Sequence, residues 1–521
     1  MIIDTHELIL VIVLCLNCGF IDRFIVYILQ SDPFLKIIES NMSTKLKLMI
    51  AIGLCAGAME VSAAGLIAPD MDLRQDLAWL SDRGVINLSL STWPMSQEEI
   101  ESSLANAHPS TARETITVTR IQQQLLDLKT SAFVNAQAST GHQDFPHAFA
   151  QSSYSDQSLS LGGVYRADQV DVRLQGNIEG NQQIADRSRV NVQGSYAAVK
   201  GFNQWLSLGQ IPQWWGPGYD GSLIRSDAAR PVTGLILQRA DQSPFETRWL
   251  SWMGRWQYQL TAGQLAQYTS VPNAKLIGAR FTMSPTQFLE LGASRTIQWG
   301  GYGRPQSFSS LFDAIKGTQD NVVGTGHDPS NQLGGFDFKL KLQPLLGLPS
   351  NIYGQMIGED EAGGLPSKYS YLLGLDGHTI WDNTGAVNWH IEGANTFSGL
   401  SNKNITYRHG TYKDGYYQQG YPLGHALGGD GKMISGAAEV VFYSGQRINA
   451  RLFYAQVNAS NQLINQAFPS SDTLKGFSVG WSGHVYKQAK LGTSLWYTDG
   501  KHGHDEGVTL KVELPISGLN F

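Results

Sequence analysis

The sequence is short of charge, of cysteine and of long unbroken apolar runs. Only 16% of its 521 residues are charged, against roughly 25% in ordinary soluble domains. The formal net charge of −6 leaves no basic excess from which a nucleic-acid-binding face could be built. The three cysteines, Cys15, Cys18 and Cys55, all lie near the N-terminus, which excludes a disulfide-stapled scaffold. The apolar stretch from Leu8 to Leu29 is interrupted by Asn17, Asp22 and Arg23, and a charge at the centre of a span costs a few kcal/mol. A helical membrane protein is therefore excluded. So is a disordered chain, because hydrophobic residues still make up 42%. Glycine (56 residues) and aromatics (10%) are what the chain has in abundance. A large, aromatic-rich β protein fits this balance.

A targeting signal sits inside the chain. Met42 is followed by Lys45 and Lys47, then by the apolar run Leu48 to Met59, then by the small-residue site Val61-Ser62-Ala63. That order is a secretory signal peptide over residues 42–63, and residues 1–41 read as sequence upstream of the true start. Leu54 is too bulky to precede a lipidated Cys55. An exported chain without cysteine draws its stability from a large core or from closed strand pairing, which points to a Gram-negative envelope.

Two grains follow. Residues 64–132 read as a helical module of three helices. Asp72 is placed to cap the first, with Leu73, Leu77 and Leu80 on its apolar side and Gly84 at its end. Ser96 and Glu99 make a capping box for the second, which carries Ile100 and Leu104. The third starts near Ala112 with Ile116, Ile121, Leu125 and Leu128 on its apolar side, and Val85 to Leu90 alternates like a short strand. Trp79 and Trp93 are expected to be packing residues. From residue 133 to 521 the period is two: Phe336, Phe338, Leu340 and Leu342 alternate with Asp337, Lys339 and Lys341, and Val387, Trp389 and Ile391 with Asn388, His390 and Glu392. Val508, Leu510, Val512 and Leu514 repeat the pattern near the terminal Phe521. Export, absence of cysteine and abundant aromatics favour a transmembrane barrel over a soluble sandwich. At roughly 9–11 residues per spanning strand, about sixteen to twenty strands fit. The expected fold is mainly β: a large transmembrane antiparallel β-barrel preceded by a small N-terminal helical bundle.

Chemistry is expected where the alternation breaks, in segments that read as surface loops. Residues 210–230, QIPQWWGPGYDGSLIRSDAAR, set Trp214, Trp215 and Tyr219 beside Asp220, Arg225 and Arg230. Residues 412–431, YKDGYYQQGYPLGHALGGDG, set Tyr416, Tyr417 and Tyr421 beside Asp414, Gln418 and Gln419. Rings suit the C–H face of a sugar, and Arg can grip a uronate through two parallel hydrogen bonds. An interfacial aromatic girdle is the competing explanation for such residues. Gly216, Gly218 and Gly221 match a dinucleotide-binding glycine pattern, but Pro217 intervenes and no strand–turn–helix context surrounds them. Glu359, Asp360 and Glu361 read as a solvated turn or a cation clamp more readily than as paired catalytic acids, and His502, His504, Asp505 and Glu506 as a hairpin loop that matches no zinc motif. No catalytic residue, metal site or cofactor is expected.

The stretches DLRQDLAWLSDRGVINLSLSTWP (72–94), NQWLSLGQIPQWWGPGYDGSLIR (203–225), WGGYGRPQS (299–307), GEDEAGGLPS (358–367) and KDGYYQQGYPLG (413–424) resemble the capsule-assembly Wzi family of Gram-negative outer membranes. The resemblance runs over nearly all of the exported chain. It departs before Met42 and over residues 140–157. It implies an eighteen-stranded barrel with its helical bundle on the periplasmic side. It further implies a monomeric outer-membrane lectin that attaches capsular polysaccharide of a uronate-containing type, associated with the capsule export channel but not itself that channel. Sugar-contacting residues are not transferred by the resemblance. On the loop chemistry alone, Trp214, Trp215, Tyr416 and Tyr417 are expected to stack on sugars, Arg225 and Arg230 to pair with uronates, and Gln418 and Gln419 to bridge hydroxyls, with Tyr219 and Tyr421 in the same polysaccharide-binding set. A diffusion porin and, less readily, a barrel enzyme acting on envelope glycans are the rival functions.

Overall fold

The computed structural model describes residues 65–128, 132–184, 186, 188–316, 330–362, 365–381, 385–399, 402–486 and 489–516. The signal-peptide reading of 42–63, the upstream segment 1–41 and Phe521 lie outside the described residues.

Antiparallel strands from Ala132–Ser139 to Gly503–Ile516 close into one 18-strand barrel, the last pairing with the first. Val190–Asn191 and Tyr196–Gly201 both pair with Val170–Gln182 and make one interrupted strand. Closure leaves no exposed sheet edge. The two-residue period decides which side each residue takes. Gln238, Gln259, Arg280, Thr296, Gln298, Asp337, Asn388 and Glu392 face the lumen and are buried, while Leu235, Leu260, Phe336, Phe338, Leu373, Ile391 and Val508 point outward and are exposed. This outward apolar wall is what a lipid bilayer requires.

The connections differ by end. One end carries tight turns at 168–169, 202–203 and 287–288. The opposite end carries the long connections 140–154, 210–232 and 396–431. At the tight-turn end sit three helices, α1 (Met71–Asp82), α2 (Gln97–Ala105) and α3 (Ala112–Asp127). Leu77, Leu80, Ile100, Ile121 and Leu125 pack them together, with Trp79 and Trp93 buried in the same cluster. The module is tied to the barrel by Lys200–Glu98 at 2.6 Å, by Arg113 to the Tyr443 hydroxyl at 3.1 Å and by Arg255 to Glu99.

Four local expectations need correction. The N-cap of α1 is Asp70, whose carboxylate accepts from Leu73 N–H at 2.9 Å. Asp72 is released to pair with Lys490 at 2.7 Å, across the lumen mouth. Ser96 does stand at the N-cap of α2, but the capping box is absent because Glu99 is drawn to Gln242 N–H and Arg255. Helix α3 instead has the complete box, Thr111 with Glu114. Ile116 is exposed rather than part of the apolar side. Residues 85–90 form no strand: Ser89 donates its N–H to Gln242 at 3.0 Å and its hydroxyl to Glu290 at 2.6 Å. The strand pairing falls a few residues later, where Thr92–Trp93 joins Trp214–Trp215.

Candidate functional site

That pairing shows where the aromatic segments go. Residues 210–232 leave the barrel wall at the long-connection end, yet Trp214 lies opposite Trp93 and Trp215 opposite Thr92 of the helical module. The segment therefore passes down through the lumen. Trp214 packs edge-on against Phe149, with centroids 5.0 Å apart, inside the module's own apolar cluster. Trp215 donates its indole N–H to Gln259 at 2.6 Å. Tyr219 stacks on His390 at 4.8 Å with Arg74 over its ring at 4.3 Å. Glu392 accepts from the backbone N–H groups of Tyr219 (2.8 Å) and Asp220 (3.1 Å), and Asp220 in turn meets His390 at 2.9 Å and Arg451 at 2.6 Å. The glycines serve this close approach. A Cβ on Gly221 would lie 2.0 Å from the His425 ring, and one on Gly218 would lie 2.2 Å from the Gly221 carbonyl.

The second segment, 396–431, folds in beside the first. Tyr416 donates its hydroxyl to the Ile224 carbonyl at 2.8 Å, Tyr407 donates to that of Leu223, and Leu423 accepts from Ser226 N–H at 2.9 Å. Tyr417 accepts from Gly429 N–H at 3.1 Å, and Gln418 from Ala266 N–H at 2.9 Å. Gln419 donates to the Ser188 hydroxyl at 2.9 Å, and Tyr421 sits edge-on to Tyr154 at 5.2 Å. The two segments share one apolar cluster that includes Trp215, Tyr219, Leu223, Tyr407, Tyr412, Tyr416, Tyr417 and Tyr421. They are a plug.

The expectation of surface loops is corrected accordingly. Nine of the ten expected site residues are buried inside the barrel. Trp214 is 1% exposed, Trp215 and Tyr416 0%, Tyr219 and Gln418 2%, Tyr417 3%, and Tyr421 and Arg230 4%. A ring buried on both faces has none left for a sugar. Arg225 is buried and donates to Gln213 at 2.7 Å. Arg230 is held between Glu179 (2.6 Å) and Asp186 (2.7 Å), so its fork is already filled by carboxylates. Gln419 alone is half-buried. Alternation cannot tell a loop that leaves the barrel from one that enters it, since both break the period.

What the long-connection end does expose is a ring of residues around Asp414. Its carboxylate accepts from Ser270 N–H at 3.2 Å and from the Thr269 hydroxyl at 3.0 Å. Neighbouring Lys413 and Gln267 are exposed. Tyr302, 80% exposed, is brought close by its N–H bond to the Pro272 carbonyl at 2.7 Å. Tyr302 belongs to the glycine-rich stretch WGGYGRPQS, and an aromatic residue among glycines was the signal that could have singled it out.

Electrostatics in the plug follow from burial. It would raise the Asp220 carboxyl, but Arg451 and His390 outweigh it and hold that group well below the usual carboxylate range. Asp227, buried and bonded to Ala150 N–H, is pushed up to about 7. Burial lowers His425 to about 4, keeping it neutral against Gly221. Among the described residues, Asp82, Asp376 and His378 have metal-ligand types within 4.8 Å. Lys339 stands 3.0 Å from Asp376, and Asn351 donates to Asp82 at 2.7 Å. An ammonium in that position favours an ion-pair lock over a cation site. Glu359 accepts from Tyr407 N–H inside the lumen and is not part of a solvated turn; the side chains of Asp360 and Glu361 lie outside the described residues. Of the four residues expected in a hairpin loop, His502 alone lies in the two-residue turn between Ala489–Gly500 and Gly503–Ile516, whereas His504, Asp505 and Glu506 belong to the last strand, paired with Asp499, Thr498 and Tyr497.

An 18-strand barrel with a lipid-compatible outer wall, its lumen filled by its own loops and its mouth by helices, belongs to the class of outer-membrane β-barrels. The family described as capsule assembly protein Wzi matches residues 127–503. A protein of Klebsiella pneumoniae, described as an uncharacterized 55.8 kDa protein in the cps region, is 53% identical over 485 residues, covering 92% of this chain and 96% of its own. The solved structure of Wzi from Escherichia coli is also 53% identical, with a TM-score of 0.82, covering 87% of this chain and 100% of that one. That protein is described as an outer membrane protein involved in group 1 capsule assembly and a carbohydrate-binding β-barrel. The present chain belongs to the Wzi capsule assembly family.

Proposed function

We propose that this barrel attaches capsular polysaccharide to the cell surface as a lectin, makes and breaks no bond, and helps to assemble the capsule layer. One observation carries the reading: the long connections fold inward, so the barrel presents a platform at that end in place of an open pore. The description of the Escherichia coli relative as carbohydrate-binding supports it. In this reading the platform faces outward and the helical module faces the periplasm. Tyr302 offers a ring face to a sugar, Lys413 pairs with a uronate, and Gln267 and Gln419 bridge hydroxyls. Trp214, Trp215, Tyr219, Arg225, Arg230, Tyr416, Tyr417, Gln418 and Tyr421 hold the platform in shape without touching the polymer. The chain acts as a monomer and works alongside the capsule export channel. Single sites as weak as roughly millimolar suffice, because a polymer meeting many barrels gains about 10²–10⁴ in avidity.

The test is the partition of capsular polysaccharide between cells and medium. Deleting the gene should shift polymer into the medium with total synthesis unchanged. Restoring it with Tyr302→Ala and Lys413→Ala combined should leave the folded barrel in the membrane and the polymer still shed. An unchanged partition on deletion would sink the attachment function. Full retention by the double variant would sink the platform residues alone.

A further inference from the structure

The plug does not fill the lumen evenly. Its apolar cluster takes its wall residues from Leu276, Leu333, Tyr353, Ile357 and Leu372, and among the described residues none from the strands within 132–182 or 472–516. Lumen-facing serines allow a comparison of like with like. Ser370 and Ser435 meet Thr406 and Asp220 of the plug and are 1% and 3% exposed. On the other wall Ser158, Ser160, Ser478, Ser482 and Ser494 are only half-buried. Register makes these inward-facing as well. Ser478 and Ser482 pair with Arg451 and Arg447, which reach the lumenal acids Asp220 and Asp76. Ser158 and Ser160 pair with the buried Glu179 and Asn177, and Ser494 with the buried Thr509.

A side chain that faces the lumen is wetted only by water inside the barrel. A hydrated sector therefore runs along this wall. Helix α1 borders it: Leu73 to Asp82 are buried, whereas Asp70, Met71 and Asp72 in its opening turn are half-buried. Lys511 is half-buried and Glu513, nearer the tight-turn end, is exposed, so the sector opens at that end. Room remains beside the wall, since a Cβ on Gly492 would meet nothing nearer than Lys511 Cβ at 3.8 Å. Polar, roomy space of this kind holds water, and barrels of this size leave an aqueous channel wherever nothing fills them.

At the long-connection end, residues 141–147 roof the sector. Phe145 packs on Phe453 at 5.5 Å and on Trp496 at 6.0 Å. Gln143 donates to the Thr509 hydroxyl at 2.7 Å, Arg451 donates to the Pro146 carbonyl at 2.9 Å, and His142 meets Asp156 at 2.8 Å. Behind this roof the chain is anchored, because Phe149 is buried in the module's cluster and its N–H donates to the Tyr219 carbonyl at 2.9 Å. Residues 141–147 themselves have no strand pairing. A segment held by one aromatic side chain and a few side-chain bonds opens locally at low cost.

We propose that this sector is a conduit for small hydrophilic solutes beside the plug, entered from the tight-turn end and closed at the long-connection end by residues 141–147 as its lid. The lid opens on its own anchor, so plug and platform stay in place.

Purified full-length protein in detergent, with Cys15→Ser, Cys18→Ser and Cys55→Ser removing the natural thiols, would receive one cysteine at a time and a small cationic methanethiosulfonate reagent. Ser160→Cys and Ser494→Cys should react at least tenfold faster than Ser370→Cys and Ser435→Cys. In planar bilayers, Phe145→Ala with Trp496→Ala unseals the lid and should give conducting openings that the native protein lacks. Adding Ser160→Trp and Gly492→Trp, which fill the sector from inside, should suppress them. Equally slow reaction at all four cysteines would show that no hydrated sector exists. A silent unsealed variant that keeps the heat-modifiable gel mobility of the folded barrel would overturn the lid, and conductance that survives the two tryptophans would overturn the route.

Discussion

Asp227 is a carboxyl buried within the plug, outside the barrel strands, and raised to about 7 from its ordinary value of 3.8 by loss of solvent. A carboxyl raised by folding binds more protons in the folded state than in the unfolded one between those two values. Its contribution therefore falls as pH rises, from its full value below about pH 4 to its lowest above about pH 7. The loss is on the order of a few kcal/mol, since each tenfold change in a proton-binding equilibrium is worth about 1.4 kcal/mol. Hydrogen-exchange protection across residues 210–232, taken relative to the intrinsic exchange rate at each pH, should accordingly be higher at pH 5 than at pH 8, and Asp227→Asn should flatten the difference. Equal protection of the native plug at both pH values would show that Asp227 stays charged. The residue types in this segment were legible as chemistry, but their direction was not. From sequence, Trp214 and Trp215 read as a sugar platform or as an interfacial girdle, and the partners Trp93, Phe149 and Gln259 place them in neither, as packing residues inside the lumen.

Helix α1 shows the same ambiguity one level up. Its apolar residues Leu73, Leu77 and Leu80 were readable from their spacing, and they do pack on α3. Beyond the capping role expected of Asp72, the sequence carries no signal of where its acids point. In the structure, Asp72, Asp76 and Asp82 turn toward lumenal cations: Asp72 meets Lys490 at 2.7 Å and Asp76 meets Arg447 at 2.7 Å. Asp82 accepts from His378 at 2.7 Å, with Lys339 at 3.8 Å and Lys341 at 3.9 Å. Burial alone would raise Asp82, yet Lys339 and His378 hold it well below the usual carboxylate range. Removing one partner of a buried pair costs about 3–5 kcal/mol, because the other charges remain buried. Asp82→Ala should therefore loosen the module from the barrel while the strands stay paired. Limited proteolysis should cut within residues 65–128 at least tenfold faster than in the native protein. An unchanged cutting rate would show that the apolar contacts alone hold the module.

At the scale of the whole molecule, a barrel of this strand number would carry ions if it were empty. The plug leads to the expectation of negligible conductance in a planar bilayer, and a deletion of residues 213–229 should open a conducting pore. Steady large channels from the native protein would restore the porin reading. Barrel class and membrane sidedness of individual strand residues follow from the sequence by itself, since a two-residue period needs only neighbours along the strand: Phe336 and Phe338 face out and Asp337 in, as the alternation required. Strand closure, the lumenal course of 210–232 and 396–431, and the docking of α1 depend on contacts between residues far apart in the chain. Asp220 with Arg451 and Tyr416 with Ile224 are examples. Such contacts exist only once the barrel has closed around them, which is why tertiary structure alone decided that the aromatic segments fill the lumen.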